Sequence, residues 1–187
     1  MNIEFHRLPG GYCSQAVRDD GVTVHVPGFD RKHTVPHDLA HFAAEHGCGV
    51  ARGFWGSVAA GAMFGGMKVL AGRRPPHAAE RSRRVIRANA AEIGVAEGLA
   101  ESVFQAYEKD LSSEEAAGIL ARHWSAIRAD PCPYGPEALS AAWTLLTDLA
   151  ERWADTPPGA GMTLAWTLPV KRPAPPPAAR RAARIRH

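Results

Sequence analysis

Asp19-Asp20-Gly21 sits between two runs of alternating residues, an arrangement that commits the start of the chain to a β-hairpin. Tyr12 to Arg18 is the first run, and Val22-Thr23-Val24-His25-Val26 is the second, ended by Pro27-Gly28. Ahead of them, Ile3-Glu4-Phe5-His6-Arg7-Leu8 alternates apolar and polar residues until Pro9-Gly10-Gly11 breaks it, which adds a strand. A late segment, Met162 to Leu168, alternates in the same way and returns to the same sheet. A small antiparallel sheet with one buried face needs a covering layer.

The middle of the chain supplies that layer, because its apolar residues recur at helical period. Pro36 suits a first helical turn and Gly47 a stop, which predicts a short helix over 36–46. A second helix is expected over much of 54–71, ending before Arg73-Arg74-Pro75-Pro76. A third starts near Ala78, with Gly94 dividing it from a segment that runs to Tyr107. Ser112 and Glu115 form a capping box for a helix over 113–128. The last helix, 137–154, places Leu139, Trp143, Leu146, Ala150 and Trp153 on one stripe, which reads as core. The expected architecture is α+β: the N-terminal strands and the late strand packed against four to five helices.

Charge divides the chain. The formal net charge is +3, yet 171–187 carries six basic residues and no acidic one, leaving 16 basic against 19 acidic residues in 1–170. The expectation is one mildly acidic globular domain over 1–170 and a disordered Pro/Arg-rich tail over 171–187. Three widely spaced cysteines, Cys13, Cys48 and Cys132, form no CxxC pair, which speaks against a disulfide framework or a zinc ribbon. The N-terminus lacks the pattern of a secretory signal, so a cytoplasmic location is expected. Arginine outnumbers lysine 18 to 4 and alanine is abundant, a hint of a GC-rich bacterial source. Phe54 to Gly72 has the length of a membrane span, but its Gly and Ala content and Lys68 favour a buried soluble helix.

The chemistry centres on His37-Asp38-Leu39-Ala40-His41. Residues four apart share a helix face, so His37 and His41 can present two imidazoles to one divalent ion, whether zinc, iron or manganese. Asp38 follows the first histidine, where zincins place a general-base glutamate; it is a candidate ligand or general base. Glu45 extends the series, but eight helical residues rise about 12 Å, too far for His37 and Glu45 to share an ion. Glu45 is therefore expected as an outer-shell partner of His41 or a proton-handling group. A further ligand must come from elsewhere, with His33, Glu80, Glu92, Glu108, Asp110 and His123 as candidates. The same wheel, with Leu39, Phe42 and Ala43 opposite, also describes an ordinary amphipathic helix with a solvated polar face.

Val35-Pro36-His37-Asp38-Leu39-Ala40-His41-Phe42, followed by Gly53-Phe54-Trp55-Gly56, resembles an uncharacterised bacterial family with a PHDLAHF…GFWG signature. That resemblance implies no activity. The HDxxH core is also similar to the metal motif of a ubiquinone-biosynthesis family, which carries a glutamate twelve residues later. Gly53 occupies that position here. HD-domain phosphohydrolases share the His-Asp pair but need an upstream histidine helix, where this chain has strands.

Arg73, Arg74, Arg81, Arg83, Arg84 and Arg87 form a second basic cluster that, with the tail, could meet nucleic-acid phosphates; no nucleic-acid-binding motif accompanies it. Gly61 to Lys68 lacks Walker spacing, and Cys48 near His46 reads as a small buried residue. The leading expectation is a metal-dependent hydrolase acting on a small molecule. Its rival is a non-catalytic interaction protein that engages a partner through the polar helix face and the basic tail.

Overall fold

The structure is a computed structural model that describes residues 1–28 and 34–170; His33 and the 171–187 tail lie outside the described residues. The strands β1 (Asn2–Leu8), β2 (Gly11–Val17) and β3 (Thr23–Pro27) form where alternation predicts them, and β5 (Gly161–Ala165) returns beside β1. Among the described residues five strands in the order β4-β3-β2-β1-β5 make one antiparallel sheet. Gly21 turns the β2–β3 hairpin at φ +77°, donating its N–H to the Arg18 carbonyl at 2.9 Å. The alternation buries Ile3, Phe5, Ala16, Val24, Val26 and Leu164 on one face.

The fourth strand departs from expectation. Instead of a helix over 54–71, α2 (Phe54–Ala60) stops after two turns, and β4 (Lys68–Ala71) joins the sheet edge beside β3. Gly61 ends α2 in the left-handed region at φ +107°, which glycine adopts without steric cost. Gly65-Gly66 then reverses the chain, and Val69 pairs with Val24. Leu70 falls at an irregularity in that pairing and stays exposed, a bulge on an edge strand. Among the described residues no helix is long and apolar enough to cross a membrane.

The covering layer consists of α1 (His37–Gly47), α2, α3 (Ala78–Glu108), α4 (Ser113–Ile127) and α5 (Pro136–Ala154). Gly94 does not divide α3. A lone helical glycine costs about 1 kcal/mol relative to alanine, less than the packing of Val95, Leu99 and Val103 returns. Gly47 ends α1 as its last residue, and it has a second role: a Cβ there would sit 2.5 Å from the Ala142 Cα, so glycine permits close crossing by α5. The Ser112–Glu115 capping box is present in full. On the α5 stripe Leu139, Leu146, Ala150 and Trp153 are buried, while Trp143 is only half-buried. The larger of two hydrophobic clusters among the described residues runs from Ile3 to Trp166 and joins sheet to helices, with Phe5 edge-on against Trp55 at 5.7 Å between ring centroids.

Candidate metal centre

Helices α1 and α3 run antiparallel, and that orientation assembles the site. His37 faces Glu101, with Nε2 to Oε2 at 3.7 Å, while His41, one turn on, faces Glu97 at 3.3 Å. Two histidines spaced i, i+4 thus oppose two glutamates with the same spacing. The imidazoles meet edge to face at 5.0 Å between centroids. His41 is 4% exposed, whereas His37, Glu97 and Glu101 are partly open, so the cluster has a solvent side and a dry side.

Glu45 forms the dry side. It is fully buried, and its carboxylate accepts the backbone N–H groups of Trp55 at 3.2 Å and Gly56 at 3.3 Å, closing the first turn of α2. Its Oε1 lies 3.6 Å from His41 Nδ1, beyond hydrogen-bond length, so Nδ1 is buried with through-space attraction only. Gly53 makes the approach fit, because a Cβ there would come within 2.6 Å of the Glu45 Cδ and 2.7 Å of the Ala96 Cβ. A side chain at the position where the resembled motif has its glutamate would have to displace Glu45 or Ala96.

Asp38 points toward the sheet. Its Oδ2 accepts the Ser14 hydroxyl at 3.2 Å, and its carbonyl accepts the Trp55 indole N–H at 2.9 Å. Desolvation pushes the Asp38 carboxyl up to about 6, against the opposing pull of His41 and Ser14. The side chain keeps partial exposure, which moderates that desolvation. Burial alone would depress His41, but Glu45 and Glu97 on either side outweigh it and lift the imidazole to about 10. At 3.6 Å the Glu45 contribution is Coulombic attraction rather than a hydrogen bond. Glu97 is lowered by its contact with His41, and Glu45 is raised by burial. The cluster thus places one buried imidazole between the carboxyl groups of Glu45 and Glu97.

The donors named from sequence go elsewhere. Glu92 pairs with Arg52, Glu108 accepts the Thr34 hydroxyl, and Asp110 occupies a left-handed turn at φ +53°. Glu80 is exposed in the first turn of α3, and His123 is exposed on α4. Glu97 and Glu101 escaped sequence reasoning, although their i, i+4 spacing on a predicted helix mirrors the two histidines. Burial pushes the Cys48 thiol up to about 12, and Cys48 contacts the Ala138 carbonyl; His46 stacks on Phe42, so no nucleophile–base pair forms.

Ligands at about 2.0–2.2 Å from one ion lie within roughly 4.4 Å of each other. Both cross-helix His–Glu separations meet that limit. Among the described residues no three His, Cys, Asp or Glu side chains converge on one point as they stand. A shared ion needs Glu97 or Glu101 to swing inward, and both keep the solvent-side freedom to do so. No family model, curated protein or solved structure matches the chain.

Proposed function

We propose that the α1–α3 cluster is a divalent-metal centre and that the protein uses it to hydrolyse a small molecule. One observation carries this reading: a two-histidine, two-glutamate ladder across antiparallel helices, with the inner histidine backed by a buried carboxylate. A histidine ligand characteristically turns its second nitrogen to a carboxylate, which fixes its tautomer. In this reading His37 and His41 are ligands, Glu97 and Glu101 supply carboxylate oxygen, and Glu45 attracts the inner nitrogen of His41 across 3.6 Å. The mixed imidazole–carboxylate set suits zinc, iron or manganese. Such an ion, when bound, polarises a substrate oxygen or lowers the pKa of a water. Asp38, with a carboxyl lifted to about 6, has the basicity of a group that exchanges protons near neutral pH. Three free cysteines fit a reducing cytoplasm.

The test is metal content of protein purified without a His-tag, with zinc and manganese affinity measured by equilibrium dialysis. His37→Ala and His41→Ala should abolish binding, and Glu97→Gln should weaken it by about tenfold or more. Glu92→Gln, whose carboxylate is held by Arg52, should not change it. Metal-free protein with unchanged affinity across these variants overturns the reading. A panel of chromogenic esters and phosphoesters, with Asp38→Asn as comparison, tests the hydrolytic step.

A non-catalytic role has one observation in its favour. The cluster also balances without an ion, as His41 imidazolium between Glu45 and Glu97. The polar face of α1 is largely covered by α3, which leaves the 171–187 tail as the partner-binding element in that reading. Capture of a partner that is lost on deleting 171–187, together with absence of bound metal, would favour it.

A further inference from the structure

Far from the histidines, a cavity of about 330 Å³ lies where the β2–β3 turn, the end of α2, β4 and the start of α3 meet. Four arginines line it, Arg18, Arg74, Arg81 and Arg83, against the single carboxylate of Asp20 among the described lining residues. Arg18 is 6% exposed, an unusual degree of burial for a guanidinium. Asp20 engages one edge of it, accepting from Nε at 3.1 Å and from Nη2 at 2.8 Å. Nη1 is the third nitrogen of that guanidinium, on the side of Gly61. A Cβ at Gly61 would sit 3.9 Å from it, and Gly61 lines the same cavity.

The rest of the wall is apolar: Val22, Ala60, Met63, Met67, Val69 and Pro75. Ser82 fixes this geometry, since its hydroxyl accepts the Met63 N–H at 2.9 Å and ties the turn after α2 to α3. We infer that the cavity binds a small phosphate monoester with an apolar body. Charge selects the phosphate. A carboxylate is already supplied from within by Asp20, and three arginines remain beyond that pair. A phosphate monoester brings about −1.5 to −2 charges and three acceptor oxygens, which match them. The volume lies at the small end for ligand pockets, about 300–1,000 Å³, so the apolar body is about the size of one ring.

The arginine cluster that the sequence marks as basic, with no nucleic-acid-binding motif beside it, is thus divided. Arg74, Arg81 and Arg83 are among the residues that line a concave site, whereas Arg73, Arg84 and Arg87 are not on its wall among the described residues. A concave site of this small volume suits a small phosphate ligand better than a backbone that needs an extended track.

The experiment is calorimetric titration of the full chain at low salt with phenyl phosphate, inorganic phosphate, benzoate and an oligouridine. Phenyl phosphate should saturate one site and bind about tenfold or more tightly than inorganic phosphate or benzoate, because it alone satisfies both walls. Arg81→Gln and Arg83→Gln lie on exposed α3 positions and leave the fold intact, and each should weaken it about fivefold or more. Arg18→Gln should abolish it. Absence of saturation by phenyl phosphate at millimolar concentration overturns the inference, as does equal affinity for benzoate. So does unchanged binding in the Arg81→Gln, Arg83→Gln double variant. Oligouridine binding that is tighter than phenyl phosphate and lost in the same variants would make this a nucleic-acid surface instead.

Discussion

Gly53→Ala tests the packing that underlies the candidate centre, independently of any metal. The added Cβ would stand 2.6 Å from the Glu45 Cδ, 2.7 Å from Glu45 Oε2 and 2.7 Å from the Ala96 Cβ. Nonbonded carbons settle at about 3.5–4.0 Å, so close to 1 Å of separation must be found. Ala96 is fixed to the α3 backbone and cannot yield it. Glu45 can, by withdrawing its carboxylate from the N–H groups of Trp55 and Gly56, which leaves a buried charge short of donors. Overpacking costs about 1–3 kcal/mol, and a weakened hydrogen bond to a charged group adds about 1.5 kcal/mol or more. Alanine recovers about 0.4–1 kcal/mol by restricting the unfolded chain. The net expectation is a loss of about 2–4 kcal/mol, read as a lower urea midpoint at unchanged m by tryptophan fluorescence. Gly94→Ala is the matched control: nothing lies within 4 Å of its Cβ, mid-helix, so it should stabilise by about 0.5–1 kcal/mol. A Gly53→Ala variant within about 0.5 kcal/mol of wild type would refute the closure of Glu45 and Ala96 over this position.

Three further outcomes can be measured. His41 is raised in the folded protein, so its contribution is fully present below the unfolded value near 6.5 and is lost as pH climbs toward about 10. Metal-free protein should therefore lose about 1–3 kcal/mol between pH 6.5 and 10 in urea titrations; a slope that persists unchanged in His41→Gln would assign the effect elsewhere. Arg7 Nη1 reaches the carbonyls of Trp153, Ala154 and Thr156 at 2.9–3.1 Å, a cation at the C-terminus of α5. Arg7→Ala should cost about 1–3 kcal/mol by thermal unfolding, with Arg7→Lys recovering part of it. Ser112→Ala removes the α4 capping box and should cost about 1 kcal/mol, detected as a lower melting temperature.

The elements legible in the sequence are those whose determinants are local. Gly21 and the flanking alternation define the β2–β3 hairpin without reference to the rest of the chain, and Ser112 with Glu115 defines the start of α4. β4 was illegible for the opposite reason. Its four residues, Lys68–Ala71, form a strand only because the edge of β3 offers unpaired backbone groups, and the Gly/Ala run before them reads as easily as helix. The candidate centre was half legible. His37 and His41 share a face by helical period alone, but Glu97 and Glu101 look like any solvated face of a long helix until α3 is laid antiparallel on α1. Glu45 required both levels: helix rise excludes it as a common ligand with His37, and tertiary contact assigns it to the start of α2.

One continuous helix connects the two proposed sites. α3 spans 31 residues, about 46 Å at 1.5 Å per residue, with Arg81 and Arg83 near one end and Glu97 and Glu101 beyond its middle. Ser82 anchors the near end to the turn after α2, and Asn89 bonds the Ser57 hydroxyl at 3.0 Å halfway along. The two carboxylates and the two guanidiniums are therefore borne on a single body, and sliding it along its axis alters both reaches together. Thermodynamic linkage then sets a strict symmetry: whatever factor an anion at the near end imposes on metal affinity, metal must impose on the anion.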